Sequence, residues 1–179
     1  HLLKDLLLLS KSEFAIAVNN RLKQRIHLIK EYGDVPLVEC YPAQLNQVFM
    51  NLIANAIDAL EECNVADAEC RMIDAQSLIY NSQPPAPTIT IRTGQVDQHH
   101  VSIQICDDGP GISPENQAKL FDPFFTTKSV GKGTGLGLSI CYQIIEKHQG
   151  AIKVISKMGQ GTEFEILLPV NKLTSSVAI

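Results

Sequence analysis

Several things this sequence lacks narrow its function before any motif is found. It has no net positive charge: a formal charge of −4 and a pI near 5.7 argue against a general nucleic-acid or anionic-membrane surface. An acidic chain that binds a polyanion must do so with local donors. Its five cysteines (40, 63, 70, 106 and 141) are odd in number and include no C-x-x-C pair. That fits reduced thiols in a cytoplasmic setting better than a disulfide frame or a zinc site. The apolar run near the start, "LLLL" at 6–9, is far too short to span a bilayer. There is no initiator Met and no signal-peptide pattern, so the expectation is a piece cut from a longer protein. Internal repeats and low-complexity segments are also missing. So are a G-x-x-x-x-G-K-[ST] loop, a G-x-G-x-x-G frame, the H-R-D and D-F-G signatures and a G-x-S-x-G elbow.

What is present is ordinary globular material. The 179 residues are 45% hydrophobic and 19% charged, enough for one domain with a real core. Ser10 and Ser12 offer N-caps to a helix through "EFAIAVNNRLKQ" (13–24), and "IHLIKEY" (26–32) reads as a strand. Residues 42–62 carry the strongest helical pattern, with Leu45, Val48, Phe49, Leu52, Ala56 and Leu60 at three- and four-residue steps. A polar, proline-bearing loop over 63–87 follows, then alternating strands "TITIRT" (88–93) and "VSIQIC" (101–106). Ser113-Pro114-Glu115 is a helix start, and "LSICYQIIEKHQG" is a helix closed by Gly150. "AIKVIS" and "EFEILLP" form a hairpin. The expected class is α+β: one mixed, mostly antiparallel sheet with helices on one face.

The chemistry gathers around "GKGTGLGLSI" (131–140), where glycine stands at every second position from Gly131 to Gly137. Such a loop before a helix is either a flexible connection or a source of free backbone N–H groups, a ready anion site. Lys128 and Lys132 add positive charge beside it. On the helix at 42–62 the face opposite the apolar stripe carries Gln44, Gln47, Asn51, Asn55, Asp58 and Glu62. Gln44 and Glu62 read as solvated. Asn51 and Asn55 fit that less well, since Asn costs roughly half a kcal/mol against Ala inside a helix. One turn apart, about 6 Å along the axis, their amides suit a hard cation that shares phosphate oxygens. The strand alternation puts Asp107 on the core side with Val101, Ile103 and Ile105, and Asp108 on the water side. A carboxylate there is either satisfied by a nearby N–H or hydroxyl, or it accepts from the exocyclic amino group of a purine. In "FDPFFTTK" (121–128) Phe121 reads as core, and the aromatics beyond it as core or as the docking side of a lid.

Together these blocks resemble the ATP-binding catalytic domain of sensor histidine kinases, of the Bergerat nucleotide-binding fold. The N box is "QLNQVFMNLIANAIDAL", the first glycine box "DDGPGI", the F box "FDPFFTTK" and the second glycine box "GKGTGLGLSI". "GTEFEILLP" is similar to the family's closing strand. The four boxes occur in the family's order between about residues 25 and 170. The resemblance implies a two-layer α/β sandwich with ATP between the helices and a lid. It implies a division into residues 1–24 (a linker or stub of a dimerisation helix, plus the first helix), 25–170 (the ATP-binding domain) and 171–179 (a tail). Asn55 would bind Mg²⁺ with Asn51 close to the phosphates, and Asp107 would bond the adenine amino group. Gly109, Gly111 and Ile112 would line the base. Phe124, Thr127 and Lys128 would sit at the lid or phosphates. Gly133, Thr134, Gly135, Leu136, Gly137 and Leu138 would supply the phosphate side, and Thr162 would help to fix the base. Asn55 and Lys128 are the residues expected to act in catalysis.

Relatives of this fold that hydrolyse ATP, such as gyrase, Hsp90 and MutL, resemble one another in having a Glu where Asn51 stands here. An amide cannot serve as a general base, which favours transfer to a protein nucleophile over hydrolysis. None of His1, His27, His99, His100 and His148 has the sequence context of the family's phosphoacceptor. The expected partners are therefore a dimerisation and phosphoacceptor domain elsewhere in the full-length protein, and a response regulator. No nucleic acid and no direct membrane contact by this segment are expected, though the whole protein could be membrane-anchored. A nucleotide-binding module without transfer activity, and an ATPase or serine kinase of the same fold, stay open.

Overall fold

The computed structural model describes residues 26–66, 86–128 and 133–170. The expected helix over 13–24 lies outside them. Five strands form one sheet: β1 (His27–Tyr32), β2 (Thr88–Gln95), β3 (His100–Asp107), β4 (Ala151–Ser156) and β5 (Thr162–Pro169), in the order β1-β2-β3-β5-β4. β1 runs parallel to β2, and every other pairing is antiparallel. The class is α+β, as the order of elements predicts.

Two helices cover one face: α1 (Pro42–Ala66) and, after the short α2 (Pro114–Gln117), α3 (Gly137–Lys147). All six apolar positions of the α1 periodicity are buried, and they meet Ile89, Ile105, Ile145 and Ile166 from β2, β3, α3 and β5. Each of the larger side chains among them stabilises the fold by about 1.5–3 kcal/mol, and Leu52→Ala alone would cost about 2–5 kcal/mol. The alternation in β5 is complete: Thr162, Phe164, Ile166 and Leu168 face inward.

Three details depart from the sequence reading. Residues 63–66, expected as loop, continue α1 by about one more turn, while the rest of that stretch up to 85 lies outside the described residues. Gln44, expected in solvent, has its Oε1 buried with no hydrogen-bond partner. The left-handed residue after α3 is Gln149 (φ 56), not Gly150. Gly150 donates its N–H to the Ile145 carbonyl at 3.0 Å. It is needed for space, because a Cβ there would run into the Leu167 carbonyl oxygen of β5. α2 keeps the expected start, with Pro114 following the Ser113 cap, whose hydroxyl accepts from Asn116 N–H at 3.4 Å, but it ends after four residues.

Candidate functional site

A cavity of about 410 Å³ opens between α1, the turn after β3, the start of β5, residues 120–128 and the start of α3. Its size is that of a small-molecule site. Asp107 lies in it at the end of β3, paired across the sheet with Ile89 on one side and Thr162 on the other. Burial pushes its carboxyl up from 3.8 to about 6, against the opposing pull of the Gly109 and Thr162 backbone N–H groups. Its Oδ1 accepts from Gly109 N–H at 3.0 Å. Asp108 turns away and accepts from Thr88 N–H at 2.8 Å. A half-buried carboxylate short of donors, on rigid backbone, suits a ligand that brings an N–H.

Gly111 and Ile112 continue the wall, with Ile112 N–H donating to Ser156 Oγ at 2.8 Å. Gly111 has φ +74, and a Cβ there would collide with the Lys157 carbonyl, so only glycine fits this close approach. Asn55 projects from α1, and Lys128 reaches it from the other wall: its ammonium is 3.2 Å from Asn55 Oδ1 and 2.6 Å from Asp58 Oδ2. Thr127, Gly133, Thr134, Gly135, Gly137, Leu138 and Thr162 complete the expected residues that line the cavity.

Four expected residues do not line it. The Asn51 amide instead donates to the Gly137 carbonyl at 3.3 Å and to Cys141 Sγ at 3.7 Å, joining α1 to α3. Gly109 is spent on Asp107. Leu136 is the residue before α3, its N–H 3.4 Å from Thr134 Oγ1. Phe124 is 74% exposed. Its backbone has φ 68 and donates its N–H to the Gly135 carbonyl at 2.9 Å. The neighbouring Phe125 is the aromatic that faces the cavity, together with Ala56, Ala59 and Phe164. Sequence reasoning read Ala56 as core and the aromatics beyond Phe121 as core or the docking side of a lid, and it missed Ala59 and Phe164. The small side chains at 56 and 59 were the available signal, since they leave room beside Asn55. Asp58 was noted on the polar face of the helix, but its tie to Lys128 was not foreseen.

Among the described residues no cysteine lines the cavity. Burial pushes Cys141 up to about 11 and Cys106 up to about 12. None of the described histidines lines the cavity. His148 is fixed by Tyr41 N–H, which donates to its Nε2 at 3.0 Å, and by the Ile144 carbonyl 2.7 Å from Nδ1. Among the described residues no cluster of three or more His, Cys, Asp or Glu could hold a metal by itself. A cation here must share its coordination with a ligand. Asn55 Oδ1 is a fitting donor, since it already accepts from a cation, the Lys128 ammonium. Among the described residues no helix is long and apolar enough to cross a membrane.

The chain is similar in sequence and in fold to known proteins. Residues 40–172 match the family model "Histidine kinase-, DNA gyrase B-, and HSP90-like ATPase". Sporulation kinase E of Bacillus subtilis (strain 168) is 38% identical over 139 residues, covering 78% of this chain. Sensor kinase CckA of Brucella abortus (strain 2308) is 42% identical over 148 residues, covering 80% of it. The matched segment spans only 15% and 14% of the length of those two relatives. Among solved structures, a nucleotide-free form of the catalytic domain of histidine kinase ThkA superposes with a TM-score of 0.68 at 28% identity, over 94% of this chain and 93% of that one. The four boxes, the sheet order and these matches agree, and the chain belongs to the histidine kinase-, DNA gyrase B- and HSP90-like ATPase family.

Proposed function

We propose that this chain binds ATP with Mg²⁺ and donates the γ-phosphoryl group to a histidine on a dimerisation domain of the full-length protein, for relay to a response regulator. The observation that carries the reading is Asp107, a raised carboxyl on the inner face of β3 in a cavity that also holds Asn55 and Lys128. Its free acceptor capacity suits the adenine amino group, which guanine lacks at that position. Asn55 Oδ1 would take the cation, and Lys128 would meet the phosphates. When bound, a divalent cation offsets the charge that develops on the transferred group.

The chain's own contribution is placement. Asp107 orients the base, the N-terminus of α3 and its glycines present backbone N–H groups, and Lys128 supplies positive charge. The Asn51 amide, engaged with Gly137, has no capacity to take a proton from water, which favours transfer over hydrolysis. Calorimetric titration with ATP, ADP and GTP, with and without Mg²⁺, tests this. Adenine-selective binding strengthened by Mg²⁺ is expected, and equal binding of GTP would overturn it.

A further inference from the structure

Ser156 ends β4 and does not line the cavity, yet its hydroxyl is the centre of a bond network behind one of the cavity's walls. Three groups converge on it. Ile112 N–H donates to Ser156 Oγ at 2.8 Å, the Gly161 carbonyl oxygen lies 2.8 Å from it, and Thr162 Oγ1 lies 3.0 Å from it. The Gln117 side-chain amide holds the frame from outside, donating to the Ile112 carbonyl at 2.6 Å and to the Ser156 carbonyl at 3.0 Å. Thr162 does line the cavity, is buried, and stands opposite Asp107 in the register of β3 and β5. Counting assigns the protons of this network. A carbonyl oxygen carries no hydrogen, so the 2.8 Å approach to Gly161 takes the one proton that the Ser156 hydroxyl has. Ser156 has none left for Thr162, and the contact between the two hydroxyls must use the Thr162 proton. That proton points at Ser156, and lone pairs are what Thr162 Oγ1 keeps for a ligand.

We propose that Ser156 is a positioning residue that fixes Thr162 as a pure hydrogen-bond acceptor, and so sharpens selection of a ligand that brings an N–H over one that brings a bare oxygen. This rests on the reading that the cavity takes the adenine base. A threonine hydroxyl with no fixed partner is indifferent, because it rotates to donate or to accept. Bonded to Ser156, it can only accept. The Asp107 carboxylate likewise only accepts. A base that enters therefore meets two acceptors on neighbouring strands, one charged and one neutral. An oxygen placed between them finds a donor on neither side chain, and an unpaired polar group in such a site costs more than the lost bond alone. The preference is thus set partly by a residue that does not touch the ligand.

The test is calorimetric titration of ATP and of inosine triphosphate, both with Mg²⁺ at pH 7.5, into the intact chain for wild type, Ser156→Ala and Ser156→Thr. The quantity read is the ratio of the two affinities. Ser156→Ala removes the acceptor for the Thr162 proton, so that hydroxyl can turn and donate to the inosine oxygen. The ratio should fall about two- to tenfold, chiefly through tighter binding of inosine triphosphate. Ser156→Thr keeps a hydroxyl and should retain most of it. A purely structural role for Ser156 would weaken both nucleotides alike, and an unchanged ratio in Ser156→Ala overturns the proposal. That variant also takes the hydroxyl partner from Ile112 N–H, so a measurement on wild type stands should it not fold. Proton NMR of the nucleotide-free chain should show a slowly exchanging Thr162 hydroxyl proton with a nuclear Overhauser contact to the Ser156 β-protons. Exchange as fast as that of an exposed threonine overturns the proposal. If wild type shows no preference for ATP, the underlying reading fails and takes this inference with it. If wild type prefers ATP and Ser156→Ala keeps that preference in full, only the inference fails.

Discussion

Asp107 and Lys128 line one cavity, and they are held there by different means. Asp107 ends a central strand and is flanked by Ile89 and Thr162 in register. The backbone N–H groups of Gly109 and Thr162 fix its carboxylate. Lys128 reaches its place through a flexible side chain bonded to two other side chains on α1. The difference separates two kinds of preparation for a ligand. The carboxylate is preorganised, and most of the cost of its burial is borne by the fold before anything binds. The ammonium instead has partners that a ligand must replace, so its contribution is an exchange.

Substitutions should break this contrast in a definite order. The largest loss is expected for Asp107→Asn, which replaces a charged acceptor by an amide while keeping its shape. A buried charged hydrogen bond is worth about 1.5–3 kcal/mol, so ATP affinity should fall up to about 100-fold in calorimetry while the circular dichroism spectrum stays unchanged. Next is Gly135→Ala. Gly135 has φ +67, and a Cβ would strike the Phe124 backbone. Strain of that kind costs about 1–3 kcal/mol, readable as a lower midpoint in urea unfolding. A wild-type midpoint would mean that the Phe124–Gly135 bracket yields easily. Asn55→Ala follows: it should abolish the Mg²⁺-dependent part of ATP binding and leave the fold intact. Unchanged Mg·ATP affinity would show that the cation is held elsewhere.

The pH dependence should be smaller and opposite in sign for two properties. Asp107 is raised from 3.8 to about 6 when folded. Its contribution to the stability of the empty protein is therefore present below pH 3.8 and lost as pH rises through about 6. Adenine binding needs the carboxylate, so affinity should rise over that same window and fall about tenfold from pH 7 to pH 5. Asp107→Asn should flatten both slopes, and a slope that persists would assign it to another group. The smallest effect is expected for Lys128→Met on the stability of the empty protein. A partly exposed ion pair of this kind is worth at most about 1 kcal/mol, so the melting midpoint should barely move. A large drop would make Lys128 part of the fold and would erase the contrast with Asp107.

How far the sequence reveals this site depends on which interaction places each residue. Strand alternation alone puts Asp107 on the core side, because a period of two admits no other face once Ile103 and Ile105 are inside. Helical spacing puts Asn51 and Asn55 on one side of α1 but cannot distinguish their fates. Packing of α3 against α1 takes Asn51 into the Gly137 contact and leaves Asn55 at the cavity. Phe124 and Phe125 are adjacent and chemically identical. Which one faces the cavity is decided by the Gly135 carbonyl, which pins the Phe124 N–H. Similarly, the glycine after α3 looks like a left-handed cap, and only the nearby Leu167 carbonyl shows that it is there for space. The strand segments were legible, whereas the order β1-β2-β3-β5-β4 depends on which edges meet across the sheet. Asp58 bonds a residue 70 positions away, a distance no local pattern encodes.

The most direct test of the account is a comparison of ATP with inosine triphosphate on wild type and Asp107→Asn, by calorimetry at pH 7.5 with Mg²⁺. Inosine carries an oxygen acceptor where adenine carries its amino donor, so the pair isolates the contact at the Asp107 carboxylate. The account predicts that wild type prefers ATP by well over tenfold and that Asp107→Asn loses most of that preference. Equal binding of the two nucleotides by wild type would contradict it.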